Sequence, residues 1–128
     1  MLGNSALMAF VATANPDEAR AFYRDILGLR LVDEHDFALV FDSSGTTLRI
    51  QKVESVAPVP YTALGWRVDD IHASVHDLVE RGVTFERFPG ISQDNDAVWS
   101  NPFGVGVAWF KDPDGNLLSL SEGLEARG

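Results

Sequence analysis

The chain reads as one pattern written twice. In the first half, residues 6–14 form a short apolar run without breakers, which predicts a strand. Asn15-Pro16-Asp17-Glu18 then predicts a helix start. Asn15 can accept bonds from the first free N–H groups, and Pro16 suits the first turn. Asp17 and Glu18 favour the positive end of the helix dipole. Ala19, Phe22, Tyr23, Ile26 and Leu27 recur at helical spacing, and Gly28 can take the left-handed conformation that ends the helix. Leu29–Glu34, Phe37–Phe41 and Thr46–Val53 follow as strands, the last two joined by the turn Asp42-Ser43-Ser44-Gly45.

Ala57-Pro58-Val59-Pro60 suits an extended connector. The pattern then returns. Tyr61–Val68 predicts a strand, with Asp69 or Asp70 as helix cap. Ile71, Val75, Leu78 and Val79 mark a helix over Ile71–Arg81, and Gly82 stops it. Val83–Phe88, Ala97–Ser100, Gly104–Lys111 and Asn116–Ser121 read as strands, with Asp112-Pro113-Asp114-Gly115 as the closing turn. The helix stops Gly28 and Gly82 are 54 residues apart, and the closing turns are 70 apart. The second module therefore carries an insertion, placed in the loop after Phe88. Helix, stop and hairpin agree in order, which is the signature of an internal repeat.

Composition narrows the setting. A chain of 128 residues with 45% hydrophobic and 23% charged residues can bury a core as one domain, residues 1–128. Its modules would run over about residues 5–55 and 61–124. There is no cysteine, which excludes thiol catalysis, thiolate metal sites and disulfides. A net charge of −9 argues against nucleic-acid binding. No apolar stretch approaches a membrane span, and the N-terminus lacks a positive leader region, so a cytoplasmic location is expected.

Two segments carry a family resemblance. One is Ala21-Phe22-Tyr23-Arg24-Asp25-Ile26-Leu27-Gly28-Leu29; the other is Val107-Ala108-Trp109-Phe110-Lys111-Asp112-Pro113-Asp114-Gly115-Asn116. With the repeat, they make the chain similar to the vicinal oxygen chelate superfamily of glyoxalases, bleomycin-resistance proteins and extradiol dioxygenases. The resemblance implies an α+β fold: two βαβββ modules form a curved mixed sheet around a cleft, with helices on the outer face. A homodimer is the expected assembly.

Metalloenzymes of that superfamily hold a divalent metal on the cleft face through His, Glu or Gln. Carried over by counting from the helix caps and closing turns, the four positions fall on Met8, Arg49, Ala63 and Ser119. None is an ordinary ligand for such a metal, so no metal and no cofactor are expected. His72 and His76 sit four apart on the second helix, but the sequence offers no evident third ligand, and an exposed pair is expected.

Strand alternation places Met8, Phe10, Arg49, Gln51, Arg67 and Ser119 on the cleft face. Trp99 and Phe103 lie in the long loop 89–104, and with Tyr61 and Trp109 they could stack on a flat ligand. Arg49 and Arg67 would bind an anionic group, or else pair with acids of the chain. The function expected is metal-independent binding of an unidentified small molecule, sequestering a drug or metabolite without transforming it. A lyase, isomerase or dioxygenase using non-standard residues is one alternative. A non-catalytic structural dimer subunit is another.

Overall fold

Period-two alternation builds two four-stranded mixed sheets, each with a helix on one face. The computed structural model describes residues 1–123, so residue 124, the expected end of the second module, lies outside them. The first sheet contains β1 (Met8–Thr13), β2 (Arg30–Glu34), β3 (Ala38–Ser43) and β4 (Thr46–Lys52), in the order β1-β4-β3-β2. The second contains β5 (Leu64–Val68), β6 (Trp99–Ser100), β7 (Gly106–Lys111) and β8 (Leu117–Glu122), in the order β5-β8-β7-β6. In both, the first strand lies parallel to the last and the remaining pairs are antiparallel. This is the repeat expressed as topology. Contacts divide the chain into two units. The first takes in residues 1–58 with the turn 113–115, and the second takes in residues 59–112 with 116 onward.

In the first unit, α1 (Pro16–Ala21) runs into a wide turn, Phe22–Ile26, where Leu27 N–H donates to the Phe22 carbonyl at 2.9 Å. A regular helix throughout was expected. The wide turn re-aims the face so that the consecutive rings Phe22 and Tyr23 are both buried, edge to face at 5.3 Å. Tyr23 also packs on Phe41 of β3. Val11, Leu39, Leu48 and Ile50 complete this core, each buried large side chain stabilising by roughly 1.5–3 kcal/mol. Gly28 ends the segment with φ 79°, as its position required. At the β3–β4 turn Ser44 and Gly45 both have positive φ (49° and 89°), the backbone a two-residue hairpin demands.

The Asn15 side chain does not cap α1. Asp114 takes it instead, its carboxylate accepting from Asn15 Nδ2 and Ala14 N–H, each at 2.9 Å, and from Thr13 Oγ1. A charged acceptor outcompetes the weak donors of a six-residue helix. In the second unit the expected cap is present: Asp70 accepts from Ala73 N–H at 3.1 Å at the start of α2 (Ile71–Glu80). Ile71, Val75 and Leu78 are buried against β7 and β8.

Val83–Phe88 is not a full strand. It makes one isolated bridge, Phe85 to Phe110, and Glu86 N–H donates to the Trp109 carbonyl at 2.8 Å. The Gln93 side chain pairs with two further groups of the segment, Phe88 N–H and the Glu86 carbonyl. Among the described residues, no helix is long and apolar enough to cross a membrane.

Outside the core, Arg20 of α1 grips Glu34 of β2 through both carboxylate oxygens, and Lys52 Nζ lies 3.3 Å from the same group. The Arg20 hydrogen bonds, then Lys52, hold the Glu34 carboxyl down to about 2. Its folded pKa lies below the unfolded value, so ionised Glu34 stabilises the fold above the ordinary carboxylate range. That contribution is lost as pH falls toward about 2. E34Q is expected to lose less melting temperature than the native chain between about pH 5 and pH 2. Circular dichroism melts measure this, and equal losses would show that the cluster contributes nothing.

Candidate functional site

Residues paired across a sheet share a face, so the registers decide which side chains can meet a ligand. In the second sheet Gly65 pairs with Ser119, and Ser119 with Trp109. The next row is Arg67, Ser121, Val107, Trp99. Ser119, Arg67, Trp99 and Trp109 therefore stand on one face, opposite the one that packs on α2. Trp66, on the α2 side, stacks with Phe110 at 6.5 Å.

The aromatic members converge. Trp99 and Trp109 have ring centroids 6.2 Å apart, and Phe88 meets Trp109 edge to face at 5.5 Å. With Tyr61, Ile91 and Leu117 they line a groove of about 420 Å³. Trp109 is fixed by a 3.2 Å hydrogen bond from its indole N–H to Thr62 Oγ1. Tyr61, expected in strand β5, lies before it in open chain, 65% exposed at the groove edge. Phe103 stands apart: it lies in the turn at 102–104, outside the groove lining and 80% exposed.

Arg67 is exposed and borders a hollow with Asp69 and Glu122. Glu122 accepts from Ile71 N–H at 2.8 Å at the start of α2, and Asp70 caps the same helix. Among the described residues neither Arg67 nor Arg49 forms an ion pair. Gly65 gives the face its depth, because a Cβ there would lie 2.6 Å from Ser119 Oγ. Ser119 itself is buried, 7% exposed.

In the first sheet, Phe10, Arg49 and Val40 form one row, flanked by Met8-Thr47-Asp42 and Ala12-Gln51-Ala38. Met8, Phe10, Arg49 and Gln51 thus share the face opposite α1. Met8 and Phe10 are about half exposed, 46% and 50%. At the positions carried over from the metalloenzymes this sheet offers a thioether and a guanidinium. The second unit offers Ala63, ahead of β5, and Ser119.

The two helix histidines are both exposed, as expected, and both are paired with loop carboxylates. Asp96 accepts from both, with His72 Nδ1 at 2.7 Å and His76 Nε2 at 2.9 Å, and Asp94 Oδ2 lies 3.6 Å from His72 Nε2. The Asp96 bond raises the His72 imidazole above its ordinary value, and the bonds from His72 and then His76 lower the Asp96 carboxyl. His72, Asp94 and Asp96 have ligand-type atoms all within 4.8 Å of one another. The polar run Gln93-Asp94-Asn95-Asp96 was visible in the sequence, but its contact with α2 depends on the path of the loop. Phe88 and Ile91 were not expected in the groove, because Phe88 read as the end of a plain strand and Ile91 as part of a polar loop.

With this geometry in place, relatives can be compared. A sequence profile of the Glyoxalase/Bleomycin resistance protein/Dioxygenase superfamily matches residues 6–120. Uncharacterized protein YraH of Bacillus subtilis (strain 168) is 30% identical over 115 residues, covering 77% of this chain and 83% of that protein. A superfamily member from Sphaerobacter thermophilus DSM 20745 is 25% identical with a TM-score of 0.74, covering 96% of this chain and 100% of that one. TnmS3, an antibiotic binding protein from Streptomyces sp. CB03234, has the same fold at 24% identity and a TM-score of 0.73, covering 97% and 99%. The chain belongs to the glyoxalase/bleomycin resistance protein/dioxygenase superfamily.

The groove wall rests on Gln93. Its amide oxygen accepts from Phe88 N–H at 2.8 Å, and its amide nitrogen donates to the Glu86 and Ala97 carbonyls at 3.0 and 2.8 Å. One side chain stands in for a missing ladder. Gln93→Ala strands three part-buried backbone groups and is expected to cost about 2 kcal/mol in urea unfolding. Gln93→Glu can accept but no longer donate, so it is expected to be no better. A loss under about 0.5 kcal/mol for both would show that water replaces the amide.

Proposed function

We propose that this superfamily member binds and sequesters a flat aromatic small molecule carrying an anionic group, without a metal at the superfamily's usual positions. The observation that carries the reading is the groove around Trp99 and Trp109 with Arg67 on the same sheet face. Paired aromatic walls favour a planar π-system. Arg67 lies three strands from Trp99, roughly 14 Å at about 4.8 Å per strand, and borders the neighbouring hollow, so a ligand stacked in the groove meets it only where its anionic group extends along the row and the Arg67 side chain reaches back. A guanidinium without an ion-pair partner among the described residues is ready to donate to a carboxylate or sulfonate.

Donor chemistry supports the metal-free part. Met8, Arg49, Ala63 and Ser119 offer no imidazole and no carboxylate, and Arg49 would repel a cation. Antibiotic binding by TnmS3, on the same fold, is in keeping with a binding role. We also read the chain as a cytoplasmic homodimer. The half-exposed Met8 and Phe10 beside the exposed Leu7 support an apolar surface that a second copy would cover. Sedimentation velocity at micromolar concentration is expected to give a species of twice the chain mass, and a monomer at all concentrations would remove that part.

A direct probe is 8-anilinonaphthalene-1-sulfonate, which is flat, aromatic and anionic. The native chain is expected to bind it saturably, with quenching of tryptophan fluorescence, and excess EDTA should leave the affinity unchanged. W99A/W109A is expected to weaken binding about ten- to hundredfold. R67M should weaken it about tenfold. Unchanged affinity in W99A/W109A would overturn the site, and loss on EDTA treatment would overturn the metal-free reading. Chemical conversion of a bound molecule would reassign the chain to catalysis.

A further inference from the structure

We propose that His72, Asp94 and Asp96 form a binding site for a divalent transition-metal ion, represented by Zn2+, with His76 as the residue that orients Asp96. The site stands apart from the aromatic groove and uses none of its residues.

The donor set carries the inference. His72 supplies an imidazole from the first turn of α2, and two carboxylates come from the loop before β6. Their ligand-type atoms lie within 4.8 Å of one another. Four ligands at about 2.0–2.1 Å around a tetrahedral ion stand about 3.3 Å apart. Asp96 lies 2.7 Å from His72 Nδ1 and Asp94 lies 3.6 Å from Nε2, the other ring nitrogen, so an ion on one nitrogen requires the imidazole or one carboxylate to turn, within a cluster whose ligand-type atoms already stand within 4.8 Å of one another. Mixed imidazole and carboxylate ligands suit Zn2+ and neighbouring ions, and two carboxylates balance the charge of a dication.

Both ring nitrogens of His72 face carboxylate oxygens. A neutral imidazole has one N–H, so one of those contacts sets a lone pair against an oxygen unless the ring is protonated or a metal cation lies there. His76 holds the Oδ1 side of Asp96 at 2.9 Å and leaves Oδ2 toward His72. Such outer partners fix a ligand's direction without touching the ion. Backbone bonds fix the loop: Asp94 Oδ1 accepts from Asp96 and Val98 N–H at 2.9 and 3.0 Å, and Arg87 donates to the Asp94 carbonyl at 2.7 Å. Three protein ligands leave a coordination position open. Asp96 and His76 also border a hollow of about 500 Å³ floored by Val75, Val79 and Val83, so a small ligand can approach from that side.

The test is a Zn2+ titration of tag-free, chelator-stripped protein against a chromophoric competitor, with thermal melts alongside. One Zn2+ per chain is expected, together with a rise in melting temperature that grows with free Zn2+. H72Q and D96N are each expected to lose at least about a hundredfold in affinity, and H76Q about tenfold through Asp96. H35Q, which removes the histidine outside the site, should bind as the native chain does. W99A/W109A should also keep full Zn2+ affinity, which separates this site from the ligand groove. Urea midpoints of the metal-free variants establish that they fold. The proposal is overturned if no stoichiometric Zn2+ binds, or if folded H72Q and D96N bind as tightly as the native chain. The cluster is then a set of ion pairs that fastens the loop to α2.

Discussion

Pairing the first strand of each module with its last, in parallel, is the constraint from which the rest follows. β1 against β4, and β5 against β8, put the module's two ends side by side at the sheet's centre or edge and force the helix to cross one face. The pleat then assigns every alternate residue. Val11, Leu48 and Ile50 turn toward α1, so Phe10, Arg49 and Gln51 must turn away. Leu118 and Leu120 are buried on the α2 side, so Ser119 and Ser121 join Arg67, Trp99 and Trp109. A one-residue slip would invert both sets, and a core this apolar holds the register against it.

That logic explains what was legible beforehand. Alternation and glycine stops are local, and they placed the strands, both helices and the faces of Met8, Phe10, Arg49, Arg67 and Ser119. Two local expectations failed for one physical reason. Asn15 at the α1 cap and Val83–Phe88 as a strand were each displaced by a side chain far along the chain or across a loop. Asp114 and Gln93 offer stronger or more numerous hydrogen bonds than the local partner. Propensity records only what a residue can do with its neighbours.

The insertion in the second module concentrates what the sequence concealed. Within it Gln93 completes a ladder, Asp94 and Asp96 reach the helix histidines, and Trp99 becomes a short strand beside Val107. Ala97 is held at φ 62° in that path, a costly backbone for a residue with a Cβ. Polar side chains whose bonds are satisfied across the segment offset such strain. The module that gained residues is also the one that gained both candidate sites, while the other keeps a plain repeat closed by the Arg20–Glu34–Lys52 cluster.

Gly65 carries a consequence for how this scaffold can change. Its Cα faces Ser119 so closely that an added Cβ would meet Ser119 Oγ at 2.6 Å and its carbonyl oxygen at 3.3 Å. Residues 65 and 119 are therefore a coupled pair. Position 65 can gain a side chain only if the serine rotates away or shrinks, and the backbone contact remains tight even then. A lineage that acquired a ligating or catalytic group at 65 would pass through an intermediate less stable than either end. The order of the two substitutions would decide whether that route is open.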